Sequence, residues 1–142
     1  MIITQLSIPI PNQPGELSRL SDILGDEGIN IRALTAAVNR EDAFIHLVAD
    51  DPGKAEEVLK SKGYQPVRHD VIAVETPDHP GGLNAILRPL KQDKINVEFL
   101  YPAIGKIRGN AVLIVGADPI AKAVSALERH YLTILGKEFY VL

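Results

Sequence analysis

The sequence predicts an α+β protein made of two copies of one βαββαβ unit, with antiparallel sheets and the helices on one face of each sheet. Two observations support this prediction: an internal repeat, and the order of strand-like and helix-like segments. By itself, a length of 142 residues suggests one ordinary domain. Because the repeat covers most of the chain, we expect two domains, at residues 1–69 and 70–142.

The internal repeat consists of four landmarks that occur twice in the same order, 66 or 67 residues apart. The pairs are residues 12–17 with 78–83, residues 29–31 with 95–97, residues 51–52 with 118–119, and Tyr64 with Tyr131. A constant order and a nearly constant separation are typical of a duplicated structural unit. Each element of the first copy should therefore have a counterpart in the second.

The first copy begins with a strand and a helix. Apolar and polar residues alternate over residues 6–10, which predicts a half-buried strand. Leucines then recur at helical spacing, which predicts a helix of about 14 residues. These leucines are Leu17, Leu20 and Leu24. We expect Asn12 or Gln13 to cap this helix. Pro14 suits its first turn and Gly28 its end.

A hairpin and a second helix follow. Residues 29–36 and 43–49 are strand-like and flank the polar turn 39–42, so we expect a β-hairpin. Asp51-Pro52 is typical of a helix start, with a capping carboxylate before a proline, and Gly63 suits the helix end. With a final strand, this order is that of a ferredoxin-like unit. The second copy repeats it.

The join between the copies uses one strand-like segment. Residues 64–75 have strand character apart from Pro66. Within this segment, residues 71–74 resemble both the first strand of a copy, at 6–8, and its last strand, at 138–141. Both interpretations stay open. We expect the last strand of the first copy to continue into the first strand of the second without a flexible linker.

Composition excludes several classes of function. The chain has no cysteine, which excludes disulfides, Cys-based metal sites and cysteine nucleophiles. Lys and Arg number 15 against 18 Asp and Glu, so no basic excess favours nucleic acid. Every apolar run is far shorter than the roughly 20 residues of a membrane helix, and no signal-peptide pattern opens the chain. We therefore expect a cytoplasmic protein that binds neither nucleic acid nor membrane.

Catalytic apparatus is scarce in the sequence. The four histidines do not have metal-ligand spacing, and neither a Gly-rich phosphate loop nor a G-x-S-x-G motif is present. We therefore predict no catalytic residue, no metal and no cofactor. His46 lies between Ile45 and Leu47, and its simplest interpretation is a residue on the solvent side of an antiparallel sheet.

The loop before the first helix is the stronger candidate for function. A helix N-terminus offers free backbone N–H groups and the positive end of the helix dipole, so a turn at Pro14-Gly15 suits a carboxylate or phosphate. The alternative is that Asn12 only caps its own helix. Asn30, between Ile29 and Ile31, has an alternative as a polar residue of a helix-to-strand connection. Both features recur together in the second copy.

This pattern resembles the ACT domain. The residues that carry the resemblance are N-x-P-G-x-L at 12–17, D-E-G-I-N-I at 26–31 and D-D-P at 50–52. Two copies cover nearly the whole chain, as in stand-alone two-ACT proteins that carry no enzyme. The resemblance implies a regulatory protein that binds a free amino acid or a related small metabolite and acts on a regulated enzyme or regulator. We expect a homodimer, because sheet edges and helix faces remain to be covered; a monomer or tetramer stays open.

The resemblance also implies a ligand site between two ACT units packed side by side. The loop asparagine and the asparagine after the helix would contact the ligand, with the Pro-Gly amides near its carboxylate. The implied site residues are Asn12, Gln13, Pro14, Gly15, Leu17, Asn30, Ile31, Asp78, Pro80, Gly81, Asn96 and Val97.

The second copy departs from the ACT pattern at its loop. Asp78 replaces the loop asparagine and puts a negative charge where a carboxylate would dock. We therefore expect the Asn12 loop to bind the ligand better, and Asp78 to cap its helix or meet an ammonium group. The competing function is a protein-interaction module that pairs through its sheet edges and binds no small ligand.

Overall fold

A computed structural model describes residues 1–40 and 42–142, and describes Asn39 by its backbone alone. The described residues form two compact units. The first unit is Thr4–His69, and the second unit combines Met1–Ile3 with Asp70–Leu142.

Seven strands and four α-helices follow one another in the described residues. They are β1 (Ile3–Pro11), α1 (Glu16–Asp26), β2 (Ile31–Asn39), β3 (Asp42–Ala49), α2 (Pro52–Ser61), β4 (Val67–Thr76), α3 (Gly82–Gln92), β5 (Asn96–Ile107), β6 (Asn110–Asp118), α4 (Ile120–Arg129) and β7 (Ile134–Leu135), with a 3₁₀ helix at Lys137–Val141. The predicted α+β class with antiparallel sheets is confirmed. Strand β4 runs unbroken through His69 and Asp70. None of the helices in the described residues is long and apolar enough to cross a membrane.

The sheet of the first unit has the order β1-β3-β2, and both neighbouring pairs are antiparallel. Alternate residues of β1 and β3 enter one core together with residues of both helices. The largest of these side chains are Leu6, Ile8, Ile45, Leu47, Leu20, Leu24 and Leu59. Helices α1 and α2 therefore cover the same face of this sheet. Strands β2 and β3 form the predicted hairpin; Glu41, part of its predicted turn, lies outside the described residues.

The sheet of the second unit has the order β5-β6-β4-β7, again antiparallel throughout. Its core again combines alternate strand residues with one face of each helix. The core includes Ile72, Val74, Val115, Ile86, Leu90, Ala123 and Leu127. The second copy thus repeats the layered arrangement of the first.

Two predicted landmarks of the repeat are wrong by one residue. The N-cap of α2 is Asp51 and that of α4 is Pro119, so the structural counterpart of Asp51 is Pro119 rather than Asp118. Likewise Gly63, with φ 93°, corresponds to Tyr131, with φ 60°, so Tyr64 corresponds to Leu132. The reason is the second hairpin, in which β5 has 12 residues against 9 in β2 and contains an additional irregularity in register.

The C-terminus also differs from one sequence interpretation. Residues 138–141 lie in the 3₁₀ helix rather than in a last strand, and Phe139 from this helix is fully buried. The last strand of the second unit is instead the short β7, which pairs with β4 and places Leu135 opposite Ala73. A two-residue strand is too short to show an alternating pattern, so the sequence did not reveal it.

Candidate functional site

The loop between β1 and α1 is held by the hairpin rather than by its own helix. The side-chain amide of Asn12 donates a hydrogen bond to the carbonyl oxygen of Arg40, at 3.3 Å. The N-cap of α1 is Gly15, whose φ of 88° favours glycine, and within the described residues no side chain caps this helix. The prediction that Asn12 or Gln13 caps the helix is therefore wrong, and α1 has 11 residues. The N–H of Glu16 donates to the carbonyl oxygen of Gln13 at 3.3 Å. The N–H groups of Leu17 and Ser18 are those of the first turn that an external anion can accept from.

An open depression of about 760 Å³ lies beside this loop. Asn12 and Gln13 line it together with the hairpin residues Arg40, Asp42 and Phe44. Sequence reasoning missed the hairpin residues because it treated residues 39–42 only as a turn. The signal available in the sequence was Phe44, an aromatic residue at the start of the predicted strand 43–49. The structure leaves this side chain 43% exposed.

The corresponding loop of the second unit has the same backbone but a different charge. Gly81 has φ 86° and begins α3, again without a side-chain cap among the described residues. The carboxylate of Asp78 lies 3.7 Å from the ammonium of Lys106, and both side chains are exposed. Of the two expected roles for Asp78, capping its helix is therefore wrong. The residue forms an exposed ion pair with Lys106, and its interaction with a ligand ammonium stays a prediction.

The second group of predicted residues lies at the start of β2 and β5. The backbone N–H of Asn30 donates to the carboxylate of Asp50 at 3.1 Å, and the N–H of Asp50 donates to the carbonyl of Asn30 at 2.9 Å. In the second unit, Asn96 lies opposite Asp118 in the register of β5 and β6. Sequence reasoning missed both aspartates because it assigned the D-D-P motif to helix capping alone.

The structure separates the two predicted parts of the site within the first unit. Pro11, beside the Asn12 loop, lies opposite Asp42 at one end of β3, whereas Ile31 lies opposite Ala49 at the other end. A strand of 8 residues is more than about 20 Å long. An amino acid is much shorter than this distance, so one bound molecule cannot contact Asn12 and Asn30 of the same unit.

His46 belongs to a polar cluster on the face of β3 opposite the core, where it is partly buried. Its Nδ1 is 2.7 Å from the Ser7 hydroxyl and 3.3 Å from the Gln5 amide, and both partners are buried. Burial lowers the pKa of His46, and the charge of His69 lowers it further. His46 thus lies on the predicted face of the sheet, but its side chain is partly buried there. No group of three or more His, Asp or Glu side chains in the described ranges is placed to hold a metal ion.

The fold and the loops together define an α+β protein with two similar units, each of which presents an uncapped helix N-terminus at a glycine. The chain belongs to the ACT domain pair family, which it matches over residues 1–138. No curated protein matches the sequence.

Solved structures share this architecture. Protein BT0572 from Bacteroides thetaiotaomicron is 26% identical, with a TM-score of 0.92 over 100% of this chain and 98% of that one. The regulatory subunit of aspartate kinase from Thermus thermophilus, in a ligand-free form, is 16% identical, with a TM-score of 0.65 over 90% of this chain and 92% of that one. The same subunit from Thermus flavus is 17% identical, with a TM-score of 0.62 and coverage of 90% and 92%.

Proposed function

We propose that the protein is a regulatory protein that binds a free amino acid or a related small metabolite and carries out no catalysis of its own. The observation that carries this proposal is the uncapped N-terminus of α1 beside the Asn12 loop and its open depression. Free N–H groups and the positive end of the helix dipole favour the carboxylate of such a ligand. Leu17, which is 41% exposed on the first turn, provides an apolar wall. Family membership supports a regulatory role.

The other half of the site comes from a second copy of the chain. Because Asn12 and Asn30 lie at opposite ends of the unit, a single ligand contacts Asn12 of one copy and Asn30 of the other in a homodimer. The carboxylate of Asp50, oriented by the backbone of Asn30, accepts the ligand ammonium. Ligand binding thereby favours the paired state over other packings, which is how occupancy becomes a signal.

We further propose that the units are ferredoxin-like ACT domains with boundaries near residues 69 and 70. The strand order β5-β6-β4-β7 of the second unit supports this assignment, since it is the order of a βαββαβ sheet whose first and third strands are central. The order β1-β3-β2 of the first unit is the same apart from a fourth strand.

A thermal-shift screen with each of the common amino acids tests whether the protein binds such a ligand. A ligand of this size should bind with a micromolar to millimolar dissociation constant. At about 100 times that constant it should raise the free energy of unfolding by about 2.7 kcal/mol. Sedimentation with and without the ligand should show the dimer stabilised. If no amino acid shifts the melting temperature at millimolar concentration, the result favours the interaction module instead.

Replacement of the loop residues ranks the two loops. We expect Asn12→Ala to weaken ligand binding by about tenfold or more, since it removes a hydrogen-bonding group beside a charged ligand. Asp78→Ala should have a smaller effect, because Asp78 already interacts with Lys106. Calorimetric titration of both variants measures the difference, and a larger loss for Asp78→Ala would contradict the ranking.

A further inference from the structure

A second cleft of the first unit lies between α1 and the segment that connects α2 to β4. It has a volume of about 320 Å³ and is open to solvent. Its polar lining comes from Glu16 and Arg19 of α1 and from Lys62, Tyr64 and Gln65 of the connection. Pro9 and Pro11 of β1 line both this cleft and the depression beside the Asn12 loop, so the two are neighbours. The charged and polar residues of the cleft are not among those that line the depression.

Arg19 is held in place in this cleft. Its Nη1 donates to the hydroxyl of Tyr64 at 2.9 Å, and its guanidinium carbon lies 5.2 Å from the centre of the Tyr64 ring. Tyr64 is itself only 8% exposed, so it is a fixed support. A guanidinium that is already oriented, with further N–H donors beyond the one used, loses little freedom when it binds a planar anion.

The charges of the cleft favour an anion. Arg19 and Lys62 bring two positive charges, and Glu16 brings one negative charge. Among the described residues, none of these three side chains forms a salt bridge. The cleft therefore has an excess of one positive charge that its own residues do not pair.

We propose that this cleft is a second binding site, specific to the first unit, for a small anionic group such as a carboxylate or a phosphate. Arg19 binds the anion through its guanidinium fork, Lys62 adds a second positive charge, and Tyr64 positions Arg19. The counterparts of these three residues in the second unit are Ala85, His130 and Leu132. The cleft there, about 340 Å³, has Arg88 one helical turn further along α3 and no tyrosine support.

Titration of the ¹⁵N-labelled full-length protein with inorganic phosphate, and separately with succinate, tests this site. Both probes also carry the anionic group that the N-terminus of α1 favours, so the readout is taken from Gly63 and Gln65, which line this cleft and not the depression at the Asn12 loop. We expect saturable shifts of the Gly63 and Gln65 amide signals at millimolar concentration with at least one probe. A saturable shift with phosphate alone would identify a phosphate site, and a saturable shift with succinate alone would identify a carboxylate site. No saturable shift of these signals with either probe would overturn the proposal.

Four variants separate binding from structure in this experiment. Arg19→Gln should weaken binding of the anion at least about tenfold. Tyr64→Phe should weaken binding less, because the ring still packs against Arg19. Glu16→Gln should strengthen binding, because it removes the opposing charge; a purely structural Arg19 would not produce this gain. Arg88→Gln, in the corresponding cleft of the second unit, is the matched control that should leave the titration unchanged. Equal losses in Arg19→Gln and Arg88→Gln would overturn the assignment to the first unit.

Discussion

The two units differ in one cross-strand pair: the larger side chain comes from one strand of the hairpin in the first unit and from the other strand in the second. At the bulge in the first unit, Ala33 of β2 lies opposite Val48 of β3, whereas in the second unit Phe99 of β5 lies opposite Gly116 of β6. A Cβ on Gly116 would lie 2.2 Å from the Phe99 ring, so this ring occupies the space of a side chain on the opposite strand. The pair of positions, rather than either residue, is therefore what the duplicated fold preserves.

The loops that precede α1 and α3 share a backbone conformation and differ in their side chains. Both begin their helix at a glycine with positive φ, Gly15 and Gly81. The next residue is Glu16 in the first unit and the buried Gly82 in the second. The two units thus share a backbone but differ in chemistry, and the cation pair Arg19 and Lys62 occurs in only one of the two clefts.

The largest effect on stability is expected for a substitution that adds a side chain at Gly116. Gly116→Val should lower the free energy of unfolding by about 3 kcal/mol, because the new side chain overlaps the Phe99 ring. The double variant Gly116→Val with Phe99→Ala restores the residue pair of the first unit and should recover much of this loss. Denaturant unfolding measures both, and an equal loss in the single and double variants would show that the two positions are not coupled.

A smaller loss is expected at the start of α3. A Cβ on Gly82 would lie 2.0 Å from the backbone carbonyl oxygen of Pro77, so Gly82→Ala requires the loop backbone to move. We expect a loss of about 2 kcal/mol, as for other cases of overpacking. The matched change in the first unit, Glu16→Ala, should change stability by only about 0.5 kcal/mol. Similar losses in both variants would contradict this difference between the loops.

An increase in stability is expected after α4. Tyr131 has φ 60° and is 95% exposed, and its counterpart after α2 is Gly63. Tyr131→Gly should stabilise the protein by about 1 kcal/mol, because glycine adopts this conformation without the steric cost and little packing is lost. Gly63→Tyr should have the opposite sign. A lower melting temperature for Tyr131→Gly would indicate that the tyrosine contributes to stability.

The smallest effect concerns pH. Hydrogen bonds from Arg108 and Asn110, at 2.6 and 2.8 Å, hold the pKa of Glu75 below its ordinary value of 4.5. A carboxyl group with a lowered pKa stabilises the fold above its unfolded-state pKa, and this stability is lost as pH falls through the lower folded-state value. Glu75→Gln should therefore cost less than about 1 kcal/mol at pH 7.

The pH dependence of this loss is the sharper measurement. The difference between Glu75→Gln and the original chain should disappear as the pH falls below 4.5, the ordinary value for this group. In the first unit the equivalent position is Pro9, which cannot titrate. Denaturant unfolding of both proteins at several pH values measures this difference. A difference that persists unchanged at low pH would show that the effect is not electrostatic.

Features that depend on neighbouring residues were predictable from the sequence. Alternation in β1, leucine spacing in α1 and the Asp51-Pro52 helix start all reflect local periods or local hydrogen bonds, and the structure contains each of them. The duplication and the α+β order followed from these signals. The loops at Gly15 and Gly81 were also visible, because a positive φ favours a specific residue type.

Features that depend on residues far apart in the chain and close in space were visible only in the folded structure. The side chain of Asn12 bonds to Arg40, 28 residues away, rather than to its own helix, and Arg19 is oriented by Tyr64, 45 residues away. The full length of β3 separates the Asn12 loop from Asn30, so these two residues of one unit do not share a site. Such pairings arise from sheet register and hairpin length, and a single sequence shows neither, because a local pattern carries no information about which distant strand lies beside it.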